Sequence, residues 1–191
     1  MSTTPDSSKA YVWQDGDAFR APAGTALPAD PFSLTLPLTS GTSQIEWKAY
    51  GGIQAGFNTT PDQDIKKIKI FNKRNSNYAI SRGAREDTVK FKAVDFTAAT
   101  VLTALCGGSI TQIGTTGIYQ WDQGNAEEFA LLWRLADPSN SSTNRFGFYT
   151  PVATLASPPP RSFSGDDLDG FEFELLALEP MVPISNYDPL A

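Results

Sequence analysis

Asp166, Asp167 and Asp169 stand together in SGDDLDG, a cluster of hard oxygen ligands whose obvious chemistry is calcium binding. The ligand spacing and the closing bidentate Glu of a calcium loop are missing. The segment is therefore expected to be a charged turn ahead of a strand. Glu172 and Glu174 follow two residues apart, which on a strand puts both carboxylates on one face about 7 Å apart. A glycosidase needs its carboxylates to flank the scissile bond, so a line of surface charge is the expected role. GGSITQIGTTG is rich in glycine but has neither the Lys–Ser/Thr ending of a phosphate loop nor GxGxxG spacing, and it predicts a hairpin. Lys73, Arg74, Arg82 and Arg85 form a basic stretch with one aromatic neighbour, Tyr78. Single-stranded nucleic acid needs more stacking platforms than that, so a protein contact is favoured.

The residues that are missing narrow the function further. The chain contains no histidine, which removes the commonest general base, the commonest metal ligand and every Ser-His-Asp or Cys-His arrangement. Cys106 is the single cysteine, so neither an intramolecular disulfide nor a multi-cysteine zinc site can form. The expectation is a protein that is not an enzyme and that uses no metal or cofactor. Its first residues lack a basic stretch followed by an apolar core, and no apolar run approaches the roughly 20 residues of a membrane span. No membrane partner and a cytoplasmic site of synthesis are expected.

The elements that must position these residues are mostly strands. At 191 residues and 40% hydrophobic content, the chain fits one domain with arms. Residues 1–43 are rich in Pro, Ser, Thr, Ala and Gly and predict an extended N-terminal arm. Tyr11, Trp13 and Phe19 in that arm predict docking, on the chain's own body or on a neighbour. The body, 44–179, opens with strand patterns in IEWKAYGGIQAGF. Asn58–Asp64 has turn chemistry, Ile65–Phe71 alternates as a strand, and 72–87 predicts a long exposed loop. Asp87–Phe96 alternates again. A helix is predicted over about 97–106, capped by Thr97 or Asp95 and ended by Gly107 and Gly108. Strands are then predicted at 109–121 as a hairpin, at 128–136 with Phe129, Leu131, Trp133 and Leu135 on one face, at 145–155 and at 171–178. Trp47, Trp121 and Trp133 are assigned to the core, with Cys106 as inert core. Residues 180–191 form a Pro-broken C-terminal arm. The fold class predicted is mainly β: an antiparallel β-sandwich or partly open barrel with one flanking helix.

Charge is unevenly distributed. The total is −6, yet residues 1–44 carry −2, residues 45–100 carry +4 and residues 101–191 carry −8. Such a pattern is expected either of ordinary solvated faces or of self-association, the basic part of one copy facing the acidic part of the next, and it disfavours nucleic-acid binding.

The order of segments resembles the major tail tube proteins of long, non-contractile-tailed bacteriophages of actinobacterial hosts. The resemblance runs from AFRAPAGTALPADPF through IEWKAYGGIQAGF and DIKKIKIFNKRNSNYAISRGAREDTVKFKAVDFTAATVLTALCGG. It continues through EEFALLWRLADPS and RFGFYTPVATLASPPP to FEFELLALEP. It implies a virion protein that self-assembles into stacked hexameric rings, with inner strands closing a continuous barrel that conducts the genome. It implies contacts with tape measure, tail terminator and distal tail proteins, and passage of DNA through an acidic lumen without specific binding. It also implies that a long loop, here 72–87 with Lys73, Arg74, Tyr78, Arg82 and Arg85, reaches acidic surface on the next ring. Asp166, Asp167, Asp169, Glu172 and Glu174 are the candidates for that surface or for the lumen. Two alternatives stay open: a β-sandwich module that binds carbohydrate or protein, and a related tail terminator or secretion-tube subunit.

Overall fold

The computed structural model describes residues 10–69, 72, 77–115, 117–137, 143–161 and 163–188. The chain is mainly β and antiparallel, with a single helix among the described residues, and its large sheet curls without closing into a barrel. The sheet runs in the order β2 (Leu38–Ser40), β3 (Ile45–Ala49), β1 (Asp15–Pro22), β8 (Glu128–Ala136), β9 (Arg145–Leu155), β10 (Phe171–Ala177), β5 (Ala79–Ala93) and β4 (Ile53–Ile68). The short strand β11 (Val182–Ser185) pairs with β9. A separate two-stranded sheet is formed by β6 (Ser109–Ile113) and β7 (Ile118–Asp122).

The middle of the sheet is buried on both faces, because its strands are apolar on both. In β8, Phe129, Leu131 and Trp133 enter a large core cluster with Tyr50, Val89, Phe91, Phe171, Phe173 and Leu175. The alternate residues Ala130 and Leu132 enter a second cluster with Phe19, Leu38 and Trp47. Burying a side chain of this size contributes about 1.5–3 kcal/mol, so the two clusters together hold the sheet curled. The helix α1 (Ala98–Leu105) packs on the large cluster through Ala99 and Ala104. The Thr97 side chain accepts the Thr100 N–H, and Cys106 closes the other end in the left-handed conformation. An eight-residue helix does not persist alone in water; this one is held by packing.

Several expectations from sequence are revised. Within 1–43, β1 is an inner strand between β3 and β8, and Phe19 is core rather than arm. Asn58–Asp64 is not a turn but the middle of β4. Its irregular residues are absorbed by register shifts between Gln54 and Asn58 and between Gln63 and Ile65. Pro61 is tolerated because β4 lies at the sheet's edge, where a missing N–H breaks no ladder. The loop expected over 72–87 is shorter, since β5 begins at Ala79. Trp121 is not core; it is 44% exposed on β7. In the C-terminal arm, Val182–Ser185 pairs with β9 and Met181 is buried. The strands at 128–136 and 145–155 and the helix fall where the periodicity places them.

One buried ion pair ties these elements together. The Arg20 guanidinium on β1 lies 2.5 Å from Glu127 Oε1, donates to Thr103 Oγ1 at 2.9 Å and stacks over the Phe129 ring. Removing one partner of a buried pair costs about 3–5 kcal/mol. Glu127 is 30% exposed, which places Arg20→Ala near the low end. The expected loss is about 3 kcal/mol, or about 6–12 °C in Tm for a chain of this size. Thermal melting followed by near-ultraviolet circular dichroism checks it; a loss under about 1 kcal/mol would show that the pair is not a structural tie.

Candidate assembly surfaces

Three surfaces carry the residues singled out by sequence. The first is the ribbon made by the outer parts of β4 and β5. The strands remain paired from Asn58↔Lys90 out to Ile68↔Ala79. From Asp62 outward on β4, and from Glu86 back to Ala79 on β5, every residue is exposed. The ribbon therefore leaves the body and shows both faces to solvent. Its outer part carries Lys66, Lys67, Lys69 and Arg82, and its root carries Asp62, Asp64 and Glu86. Tyr78 lies beside the end of the ribbon, 62% exposed, its N–H donating to the Ile68 carbonyl at 2.8 Å. Arg82 sits opposite Ile65. Arg85 differs: its Nε donates to the buried Asp87 at 2.8 Å within the same strand. Lys73 and Arg74 lie outside the described residues.

The second surface is the outer face of β5 and β10. The register sets Lys90 opposite Glu174 and Lys92 opposite Glu172, and Lys90 Nζ reaches Glu174 Oε1 at 3.1 Å. The two carboxylates expected on one face are there, but each faces a lysine of its own chain. The loop 156–170 folds over this face. Lys92 Nζ lies 2.7 Å from Asp167 Oδ2, and Gln54 donates to Asp167 Oδ1 at 3.0 Å. Arg161 pairs with Asp169 and stacks against Phe96, Phe163 and Phe171. Asp166 is exposed in the turn. The aspartate cluster is thus divided, with Asp167 and Asp169 used as internal latches. Among the described residues no group of three or more His, Cys, Asp or Glu is placed to hold a metal ion. The partners Lys92, Gln54 and Arg161 were not singled out by sequence, because pairings across tens of residues follow only from sheet topology.

An open groove of about 780 Å³ lies between this loop and the root of the ribbon, walled by Asn58, Lys90, Lys92, Pro160, Glu172 and Glu174. On its walls Lys90 pairs with Glu174 and Lys92 with Asp167.

The third surface is the N-terminal segment before β1. Tyr11 and Trp13 stack at 5.2 Å, Trp13 lies against Phe146 at 6.0 Å and Tyr11 against Tyr187 at 5.6 Å. Val12 N–H donates to the Asp137 carboxylate at 3.0 Å, and Asn144 donates to the Tyr11 hydroxyl at 2.8 Å. These two aromatics dock on the chain's own body and bring the two terminal segments side by side.

No protein-family model matches the chain, and no curated protein matches it.

The Asp167 latch has a pH signature. Hydrogen bonds from Lys92, then Gln54 and the Leu168 N–H, hold its carboxyl down at about 2, below the ordinary 3.8. A depressed folded value means that the contribution is complete above the ordinary value and lost as pH falls through the folded one. Protection of the 156–170 loop amides is expected to hold from neutrality to about pH 4 and to fall between about pH 4 and 2. Asp167→Asn should lower protection already at pH 7. Hydrogen exchange by mass spectrometry reads both, and a loop equally protected in the variant would refute the latch.

Proposed function

We propose that this chain is a structural subunit that assembles with copies of itself into rings stacked as a tube, the tail-tube role that its segment order resembles. The observation that carries the reading is the ribbon. A two-stranded sheet with both faces in water is marginal by itself, and this one extends from a folded body with every residue beyond Asp62 and Glu86 exposed. The outer edge of β4 is unpaired among the described residues, and an unpaired edge of that length templates pairing with another chain. Ring closure removes such edges, since a heterologous contact that closes leaves none.

The charge pattern of the ribbon supports contact between rings. Its basic outer part needs acidic surface, and the chain as a whole carries −6. Asp166 and the acidic C-terminal half supply candidates beyond the internally paired Asp167 and Asp169. An acidic tube interior would repel DNA in transit. Hexameric rings, a place in the virion tail, genome passage at ejection, and partners of the tape measure, terminator and distal tail kinds are what the resemblance contributes.

Electron microscopy of the purified chain over a range of concentrations tests the reading. Rings or tubes are expected. Lys67→Glu with Arg82→Glu reverses charge on one face of the ribbon, and this variant should give no elongated tubes. Its Tm should match the parent's, since exposed substitutions stay within about 0.5 kcal/mol. A wild-type chain that stays monomeric at every concentration, and binds a glycan instead, would replace this reading with that of a binding module.

A further inference from the structure

The β6–β7 hairpin is unlike the rest of the molecule. Its strands pair only with each other, and every residue of both is exposed. The register Ile110↔Trp121 and Gln112↔Tyr119 places Ile110, Trp121 and Tyr119 on one face, with Ile113 and Ile118 on the other. Trp121 is 44% exposed and Tyr119 57%. The one charged residue of the two strands is Asp122 at the root, whose carboxylate accepts from Gln120 at 2.6 Å and Thr111 at 3.4 Å. The Ile110–Tyr119–Trp121 face of this prong carries no charge, on a chain whose residues are 19% charged.

The prong is rigidly mounted. Gly108 N–H and Gly124 N–H both donate to the Leu105 carbonyl, at 3.0 and 2.8 Å. A Cβ on Gly108 would lie 1.9 Å from the Asp122 carbonyl oxygen, so only glycine lets the two strands cross the helix end so closely. The root is fixed and the faces are bare. Beside the helix, near the root of the prong, is a recess of about 410 Å³ whose apolar floor is Pro22, Ala23, Ile45 and Leu102 and whose charged residues are Arg20, Glu46, Lys48, Glu127 and Glu128.

We infer that the β6–β7 hairpin is an intersubunit anchor, its Trp121–Tyr119 face seated in the Pro22–Ile45–Leu102 recess of a second copy of this chain. The inference rests on the assembly reading above. Two arguments select a second copy. Prong and recess lie on one chain without filling each other, which is the geometry of a head-to-tail contact. Area gives the other. An aromatic side chain buries about 150–250 Å², and about half of each aromatic here is exposed. The prong therefore offers a few hundred Å², short of the roughly 800 Å² per partner of a stable stand-alone interface. It cannot hold an unrelated protein alone, but it can anchor a larger contact supplied by the ribbon. The Trp121 and Tyr119 side chains carry no charge, so their contribution is less sensitive to salt than contacts of the basic ribbon, which are screened.

The test uses the full chain with Trp121→Ser and, separately, Tyr119→Ser. Monomer melting should be unchanged. The concentration at which assembly begins should rise at least about tenfold, as for a buried aromatic anchor, and by the same factor at low and high salt. In a second arm, chains carrying Tyr119→Cys are mixed with mass-tagged chains carrying Ile45→Cys and treated with a short bis-maleimide. A mixed cross-linked dimer should form only under assembling conditions. Wild-type chain that assembles while both serine variants assemble at the same concentration overturns the anchor alone. So does assembly with no mixed cross-link. A wild-type chain that never assembles overturns the anchor together with the assembly reading.

Discussion

The fold depends on a charge that has no water. Arg20 sits on an inner strand and is 5% exposed, so its guanidinium requires partners inside the protein. It finds them in Glu127, Thr103 and the Phe129 ring. The consequences spread through those partners. The Thr103 hydroxyl gives its proton to the Ala99 carbonyl, so it can only accept from Tyr50, whose hydroxyl lies 2.8 Å away. Tyr50 must then be a neutral phenol, and burial pushes its pKa up to about 12. The second oxygen of Glu127 accepts the Gly107 N–H at 3.2 Å, just past the helix. A single cation thus fixes β1, the exit of β3, the helix, its C-terminal turn and the entry to β8. The root of the β6–β7 prong leaves from that same turn, so the prong inherits its aim from Arg20.

The charge asymmetry of the sequence acquires a different meaning once the register is known. Basic β5 and acidic β10 are neighbours in one sheet, and their side chains face each other as Lys90–Glu174 and Lys92–Glu172. Attraction that the sequence offers equally to a neighbour is therefore satisfied within the chain there. What stays outside those pairs is the basic outer ribbon, exposed on both faces. Exposed pairs on a sheet surface contribute about 0–1 kcal/mol each, so the ladder does not hold the sheet together; it sets which charges remain unmatched.

Much of this was legible in the sequence where periodicity and packing agree. Phe129, Leu131 and Trp133 alternate, and β8 begins and ends where the alternation does. Thr97 caps the helix as its chemistry requires, whereas the left-handed C-cap is Cys106, one residue before the glycines expected to end it. The failures have physical causes. β1 was hidden because Ala18, Phe19, Arg20 and Ala21 are all buried, so there is no alternation to detect, and the prolines around it read as arm. The middle of β4 was hidden because Pro61 and Asp62 carry turn propensity that an edge strand tolerates. Trp121 was assigned inward with the other large aromatics, and the register does set it on one face with Ile110 and Tyr119. The pattern is real, but among the described residues the two strands pair only with each other and stay exposed.

That last case links fold to function. A face patterned for burial and left exposed, together with a ribbon exposed on both sides, is what the proposed assembly would cover. Beyond its root each hairpin is exposed, so local stability there is lower than in the body. Binding of a further copy would order and cover them, and anything that binds the folded state alone raises its stability by mass action. The body does not need this help, because two core clusters and the Arg20 network close it. The division is between a self-sufficient curled sheet and two projecting hairpins, one basic and one with an uncharged aromatic face. Screening weakens mainly the first, so subunits with this construction would keep their register through the uncharged contact while salt tunes the strength of the other.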